Sequence, residues 1–114
     1  MKIVINSCYG SFCLSDEAVR LYAKLAGIVL VEAQSDFCGT EFYCDTVSEE
    51  TYFNYYDIER DDGFLIETVE TLGDAANGRY AKLKVVEIPD DTKWELCNYD
   101  GREWIAEKHR TWGM

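Results

Sequence analysis

Apolar and polar positions along this chain follow three different rhythms. Ile3, Val4 and Ile5 form an unbroken apolar run closed by Asn6, and Ile28, Val29, Leu30 and Val31 form a second. Short continuous runs rich in β-branched residues read as buried strands. Between them, Ala18, Val19, Leu21, Tyr22, Leu25 and Ala26 recur at helical spacing, with Arg20 and Lys24 turned outward. Ser15 stands where an N-cap belongs, Asp16 and Glu17 place negative charge in the first turn, and Gly27 suits the position after the last. Strand, helix and strand within about thirty residues predict a βαβ unit with parallel strands and a right-handed crossover.

Beyond this unit the rhythm weakens and then changes. In residues 34 to 61, "EFYCDTV" and "TYFNYYDIE" carry strand-favouring aromatics and read either as strands or as a mobile acidic loop. Asp62 is placed as the N-cap of a second helix reaching about Leu72, with Leu65, Val69 and Leu72 on one face and Glu67 and Glu70 opposite. From Tyr80 the pattern becomes that of a sheet. "YAKLKVVEI" alternates lysine with apolar residues, Pro89-Asp90-Asp91 makes a turn, "KWELCNY" is a strand, and Asp100-Gly101 is a tight-turn signal before "REWIAEKH". The expected fold is α+β, with residues 1–114 as one domain. It comprises an N-terminal βαβ unit, a second helix and a C-terminal antiparallel β-meander, forming one mixed sheet covered by two helices.

Composition supports a folded chain and narrows its chemistry. With 47% hydrophobic and 14% aromatic residues, 114 residues supply enough apolar surface for one core. "MKIVIN" is too short for a signal-peptide core and no apolar run approaches a membrane span, so a cytoplasmic protein without membrane contact is expected. Five cysteines, an odd number, read as reduced thiols. The spacings of Cys8 with Cys13 and of Cys38 with Cys44 are wider than those of most zinc knuckles, and there is one histidine, so neither metal nor cofactor is expected.

Net charge is −11, and it is unevenly placed. Residues 79 to 114 hold seven basic and seven acidic side chains, whereas residues 1 to 78 hold four basic and fifteen acidic ones. Residues 32 to 62 alone contain ten acids against Arg60. Such a segment repels nucleic acid and membrane phosphates and attracts basic protein surfaces. Interleaved aromatics add rigid contact area. The candidate partner-binding residues are Glu41, Asp45, Glu49, Glu50, Tyr52, Tyr55, Tyr56, Asp57, Glu59 and Asp61, facing a protein with a basic surface and not nucleic acid. The competing reading is that the rings fill the core while the acids keep the surface soluble.

A second candidate is the turn "SCYGSFCLS", at the carboxyl end of the first strand and ahead of a helix N-terminus, where α/β units commonly hold ligands. Cys8, Tyr9, Gly10, Ser11 and Ser15 are its candidate residues for a small ligand or nucleotide phosphate. Cys8, Gly10, Cys13 and Ser15 resemble the signature loop of the low-molecular-weight tyrosine phosphatases in order and spacing. That chemistry needs an arginine where this chain has Leu14, and a late aspartate followed by proline that has no counterpart here. No catalytic residue is therefore expected from it. Pairing Cys8 with His109 as nucleophile and base would need only proximity in the fold.

The segments "KIVINSCYGSFCLSDEAV" and "GRYAKLKVVEIPDDTKWELCNYDGREWIAEKHRTW" resemble a group of small acidic proteins encoded by tailed bacteriophages and prophages, in which glycine more often stands at the position of Cys13. The resemblance implies a phage accessory product, non-enzymatic, acting in the host cytoplasm. By analogy with acidic counter-defence inhibitors it implies binding to a host protein, including an anti-CRISPR-like action on a nucleic-acid-binding defence protein. Of the tryptophans, Trp94 and Trp104 read as core or sheet packing, and Trp112 is left open between core and binding face.

Overall fold

β1 (Lys2–Asn6) is the central strand of the computed structural model, and Ile3, Val4 and Ile5 are all buried, as an unbroken apolar run requires. The structure describes residues 1–35 and 39–108, with the side chains of Ser35 and Glu49 outside that description. A strand apolar on both faces needs two covers. One is formed by α1 (Asp16–Ala26) and α2 (Gly63–Leu72): Val4, with Leu83 and Val85 of β4 (Leu83–Glu87), packs in one core with Ala18, Val19, Tyr22, Leu65 and Val69. The other is β6 (Arg102–Glu107), whose Ile105 shares a cleft with Ile5 and Val86.

Local signals set the helix ends. Ser15 Oγ accepts from the Ala18 N–H, and Gly27 closes α1 at a φ of 74° with its N–H on the carbonyls of Ala23 and Lys24. Asp62 Oδ1 caps α2 by accepting from the N–H groups of Phe64 (2.8 Å) and Leu65 (3.2 Å). Its other oxygen accepts from the Tyr22 hydroxyl at 3.0 Å, so one carboxylate ties α1 to the start of α2. Burial first, and then the Asp62 carboxylate, push the Tyr22 phenol up to about 12 from its ordinary 10.0. A phenol held neutral in the fold contributes stability that is fully present below pH 10 and lost as pH rises toward 12. Denaturant melts at rising pH should therefore show unfolding free energy falling more steeply over that window for the native chain than for Tyr22→Phe. At neutral pH that variant should lose about 1 kcal/mol.

The α+β class is as expected, and the strand pairing is not. Among the described residues, six strands form three two-stranded antiparallel ribbons in place of one mixed sheet: β1 with β4, β2 (Leu30–Ser35) with β3 (Gly39–Cys44), and β5 (Trp94–Tyr99) with β6. The parallel βαβ unit is absent among the described residues. β1 pairs with β4 in the register Lys2↔Glu87 to Asn6↔Leu83, and its other edge is occupied without a strand. There the Val4 N–H donates to the Arg60 carbonyl at 2.8 Å and the Asn6 N–H to the Glu103 carboxylate at 2.8 Å. β2 meets its neighbour in sequence instead, a contact that closes a far shorter loop. Val29 is exposed and lies before β2, so the second apolar run is not one buried strand. The C-terminal meander reduces to the β5–β6 hairpin, because this hairpin docks on β1 through Glu103 and does not extend the β1–β4 ladder.

Candidate functional site

The turn after β1 is held by the chain's own groups. The Ser7 N–H donates to the Lys82 carbonyl, the Gly10 N–H to that of Asp100, and the Ser15 N–H to that of Ala76, so these three donors are engaged. Ser15 Oγ also donates to the Ala75 carbonyl at 2.6 Å. The Cys8 thiol donates to the Tyr80 carbonyl at 3.1 Å. Tyr9 and Ser11 are exposed.

Beside this turn lies a cleft of about 700 Å³ lined by Tyr9, Phe12, Tyr56, Arg60, Asn98 and Glu103 among others. It brings together the N-terminal turn, the end of the acidic segment and the C-terminal hairpin. A guanidinium is present, but it belongs to Arg60. Its carbon stands 3.6 Å from the centroid of the Phe12 ring, and its two terminal nitrogens grip both oxygens of Glu103, Nη2 at 2.9 Å. The pair is nearly closed to water, with side-chain exposures of 14% and 4%. Asp100 also lines the cleft, so two carboxylates face one arginine already taken. Cys8 is not in the lining. The arrangement therefore lacks both the thiol and the free guanidinium of phosphatase chemistry. Any pairing of Cys8 with His109 lies outside the described residues. Among the described residues, no group of three or more His, Cys, Asp or Glu side chains is placed to hold a metal.

The acidic segment divides into an inner and an outer part. Phe42 is buried, and Phe53, Tyr55 and Ile58 pack against the core. The Tyr55 hydroxyl donates to Cys13 Sγ at 3.2 Å; burial first, and then that thiol, raise the phenol well above its ordinary range. Tyr52 and Tyr56 turn outward, 53% and 57% exposed. The stretch from Thr51, read either as a strand or as a mobile acidic loop, begins at the end of one 3₁₀ turn, Glu49–Thr51, and contains a second, Tyr55–Asp57. Ser48 Oγ and Asn54 Oδ1 cap them, and short polar side chains that bond their own backbone favour such turns over a ladder. Tyr52 keeps a bridge to β3, opposite Tyr43.

Asp45, Glu50, Asp57, Glu59 and Asp61 are all exposed. Among the described residues, none of these five carboxylates is in an ion pair. Glu41 is half-buried and accepts from the Tyr43 hydroxyl at 2.8 Å. Glu32 is the exception in this stretch. Arg20 grips it at 2.7 and 3.2 Å, a bond that holds the Glu32 carboxyl below its usual range. Glu49 has its backbone in the first turn, and Phe37 and Asp36 lie outside the described residues.

The C-terminal hairpin departs from the reading of its tryptophans. Trp94 is half-buried, but Trp104 is 46% exposed, at the cleft it lines with Ile5 and Val86, and Tyr99 is 70% exposed. Trp104 and Tyr99 flank another cleft, of about 440 Å³, with Tyr9 and Arg102. Trp112 lies outside the described residues.

Sequence reasoning missed Phe12, Arg60, Asn98 and Glu103. Arg60 carried one signal, as the single base in a run of ten acids. Glu103 carried none, since an acid in "REWIAE" fits the outer face of a hairpin. Compared with family models, with curated proteins and with solved structures, the chain matches none.

Proposed function

We propose that this chain is a non-enzymatic binding protein that docks its acidic aromatic segment onto a host protein with a basic surface. One observation carries the reading. The single base of residues 32 to 62, Arg60, is drawn out of the segment by Glu103, while Asp45, Glu50, Asp57, Glu59 and Asp61 stay exposed without a cation among the described residues. Exposed carboxylates carried on one segment with the exposed rings of Tyr52 and Tyr56 combine long-range attraction with rigid contact area, which is how a protein interface gains rate and affinity. The resemblance to phage accessory products gives the setting as the host cytoplasm. It also gives the target class as a nucleic-acid-binding defence protein, whose basic groove an acidic patch imitates in charge. The acidic surface is preferred to the ligand reading of residues 8 to 15 because the Gly10 and Ser15 N–H groups and the Cys8 thiol serve the chain itself.

The test is charge reversal. Glu50, Asp57, Glu59 and Asp61 are exposed, so replacing all four by lysine should leave the circular dichroism spectrum unchanged. Recovery of the partner from a host lysate should fall more than about tenfold. With the native chain the same partner should be lost as salt rises from about 0.05 to 0.5 M, because screening shortens the reach of exposed charges. Undiminished recovery by the four-lysine variant would reduce the segment to a solvated coat.

A further inference from the structure

Where β3 passes α1, the acidic segment contains a narrow pocket of about 210 Å³. Its walls are Phe42, Tyr52, Phe53 and Tyr55, and its carboxylates are Asp16 and Glu41. The volume is below the ~300–1,000 Å³ of sites for drug-sized ligands, so it suits one side chain and not a whole molecule. We propose that this pocket receives a lysine or arginine side chain of the partner, an inference that rests on the docking function above.

Charge and ring chemistry both select a cation. Two carboxylates line the pocket, and the neighbouring Arg20 and Glu32 cancel one another through their two-pronged bond. The Phe42 ring already carries a cation, the Arg20 guanidinium at 5.7 Å from its centroid. Aromatic faces attract ammonium and guanidinium groups by their quadrupole, and more strongly where water is thinned by surrounding rings. An anion would meet two like charges, and a neutral apolar group would gain nothing from either carboxylate.

The walls are also fixed before any partner arrives. Tyr55 is held by its hydroxyl on Cys13 Sγ at 3.2 Å, and Tyr52 by an edge-on contact with Tyr43 at 5.6 Å. The Tyr43 hydroxyl in turn orients Glu41, at 2.8 Å. Phe53 is set by its N–H on the Phe42 carbonyl and by its ring against Tyr22 at 6.1 Å. A pocket whose groups need no reordering loses less entropy when filled.

The experiment titrates the full chain with acetyl-Gly-Lys-Gly-amide, its arginine counterpart and its norleucine counterpart in about 10 mM salt, where the Debye length is about 30 Å. Ring-proton shifts of Tyr52 and Tyr55 are followed by NMR. A basic peptide should bind with a dissociation constant of about 1–10 mM and move both rings, and the norleucine peptide should move neither. Glu41→Gln and Asp16→Asn should each weaken binding about two- to fivefold. Glu95→Gln, an exposed carboxylate on β5 outside both the acidic segment and the pocket lining, should leave it unchanged.

Equal weakening by Glu95→Gln, or equal shifts with norleucine, would overturn the pocket. Decalysine separates that failure from failure of the docking function. Salt-sensitive decalysine binding with unmoved Tyr52 and Tyr55 rings removes the pocket and keeps the acidic surface. Absence of decalysine binding removes both.

Discussion

Glu103→Ala should cost about 3–5 kcal/mol of unfolding free energy, among the larger effects available to a single substitution in this chain. The Glu103 carboxylate serves two elements at once. It accepts from the Asn6 N–H on the edge of β1 away from β4, and it neutralises the Arg60 guanidinium against Phe12. Its removal leaves a largely buried positive charge without a counter-ion and a buried N–H without an acceptor. Glu103→Gln keeps an acceptor and should lose less. Arg60→Met combined with Glu103→Gln should lose less than the two single changes added together, since no buried charge then remains. The loss should also be local at first. A two-stranded hairpin is marginal by itself, so hydrogen exchange in residues 94–107 should rise before exchange in β1 and α2 does. Uniform exchange throughout would show that Glu103 does not latch the hairpin.

The same residue marks the limit of what the sequence discloses. Helix ends were legible because their causes are local: Ser15, Gly27 and Asp62 each act within a few residues of where they stand. The Asp100-Gly101 turn was legible for the same reason, since both residues adopt positive φ in a two-residue loop. Strand partners were not legible. β1 pairs with β4 on one edge, and Arg60 and Glu103 reach its other edge from distant parts of the chain. Apolar runs say that a strand is buried without saying what buries it.

The candidate site was legible in its charge and illegible in its geometry. Counting carboxylates located the acidic segment, and exposure of Asp45, Glu50, Asp57, Glu59 and Asp61 agrees with that count. The same count did not show that Tyr55 turns inward onto Cys13 while the adjacent Tyr56 turns outward. Burial alternates from Thr51 to Tyr56 as in a strand, and the 3₁₀ turn capped by Asn54 breaks that period only at Asp57, where one exposed residue follows another. Asp16 shows the converse case. Its place in the first turn of α1 is explained by the helix dipole alone, yet the fold also sets it beside Glu41 at the aromatic pocket.

Gly101→Ala should be comparably severe, at about 3–4 kcal/mol, and for a reason that only the fold reveals. Gly101 sits at a φ of 88°, and a Cβ built there would lie 1.1 Å from the Gly10 carbonyl oxygen. The tip of the β5–β6 hairpin is thus pressed onto the backbone of the N-terminal turn, with the Asn6 side-chain amide donating to the Gly101 carbonyl at 2.8 Å. Gly10 is equally confined, since its own Cβ would lie 2.3 Å from the Tyr80 carbonyl oxygen, so the turn cannot retreat. Gly27→Ala separates conformation from space: its φ is 74° with nothing within 4 Å of the added carbon, and it should lose only about 1 kcal/mol. Denaturant melts of the two variants make the comparison direct. A Gly101→Ala loss no larger than that of Gly27→Ala would mean that the hairpin tip does not bear on Gly10. The cleft of about 700 Å³ between them would then lose the contact that fixes its width.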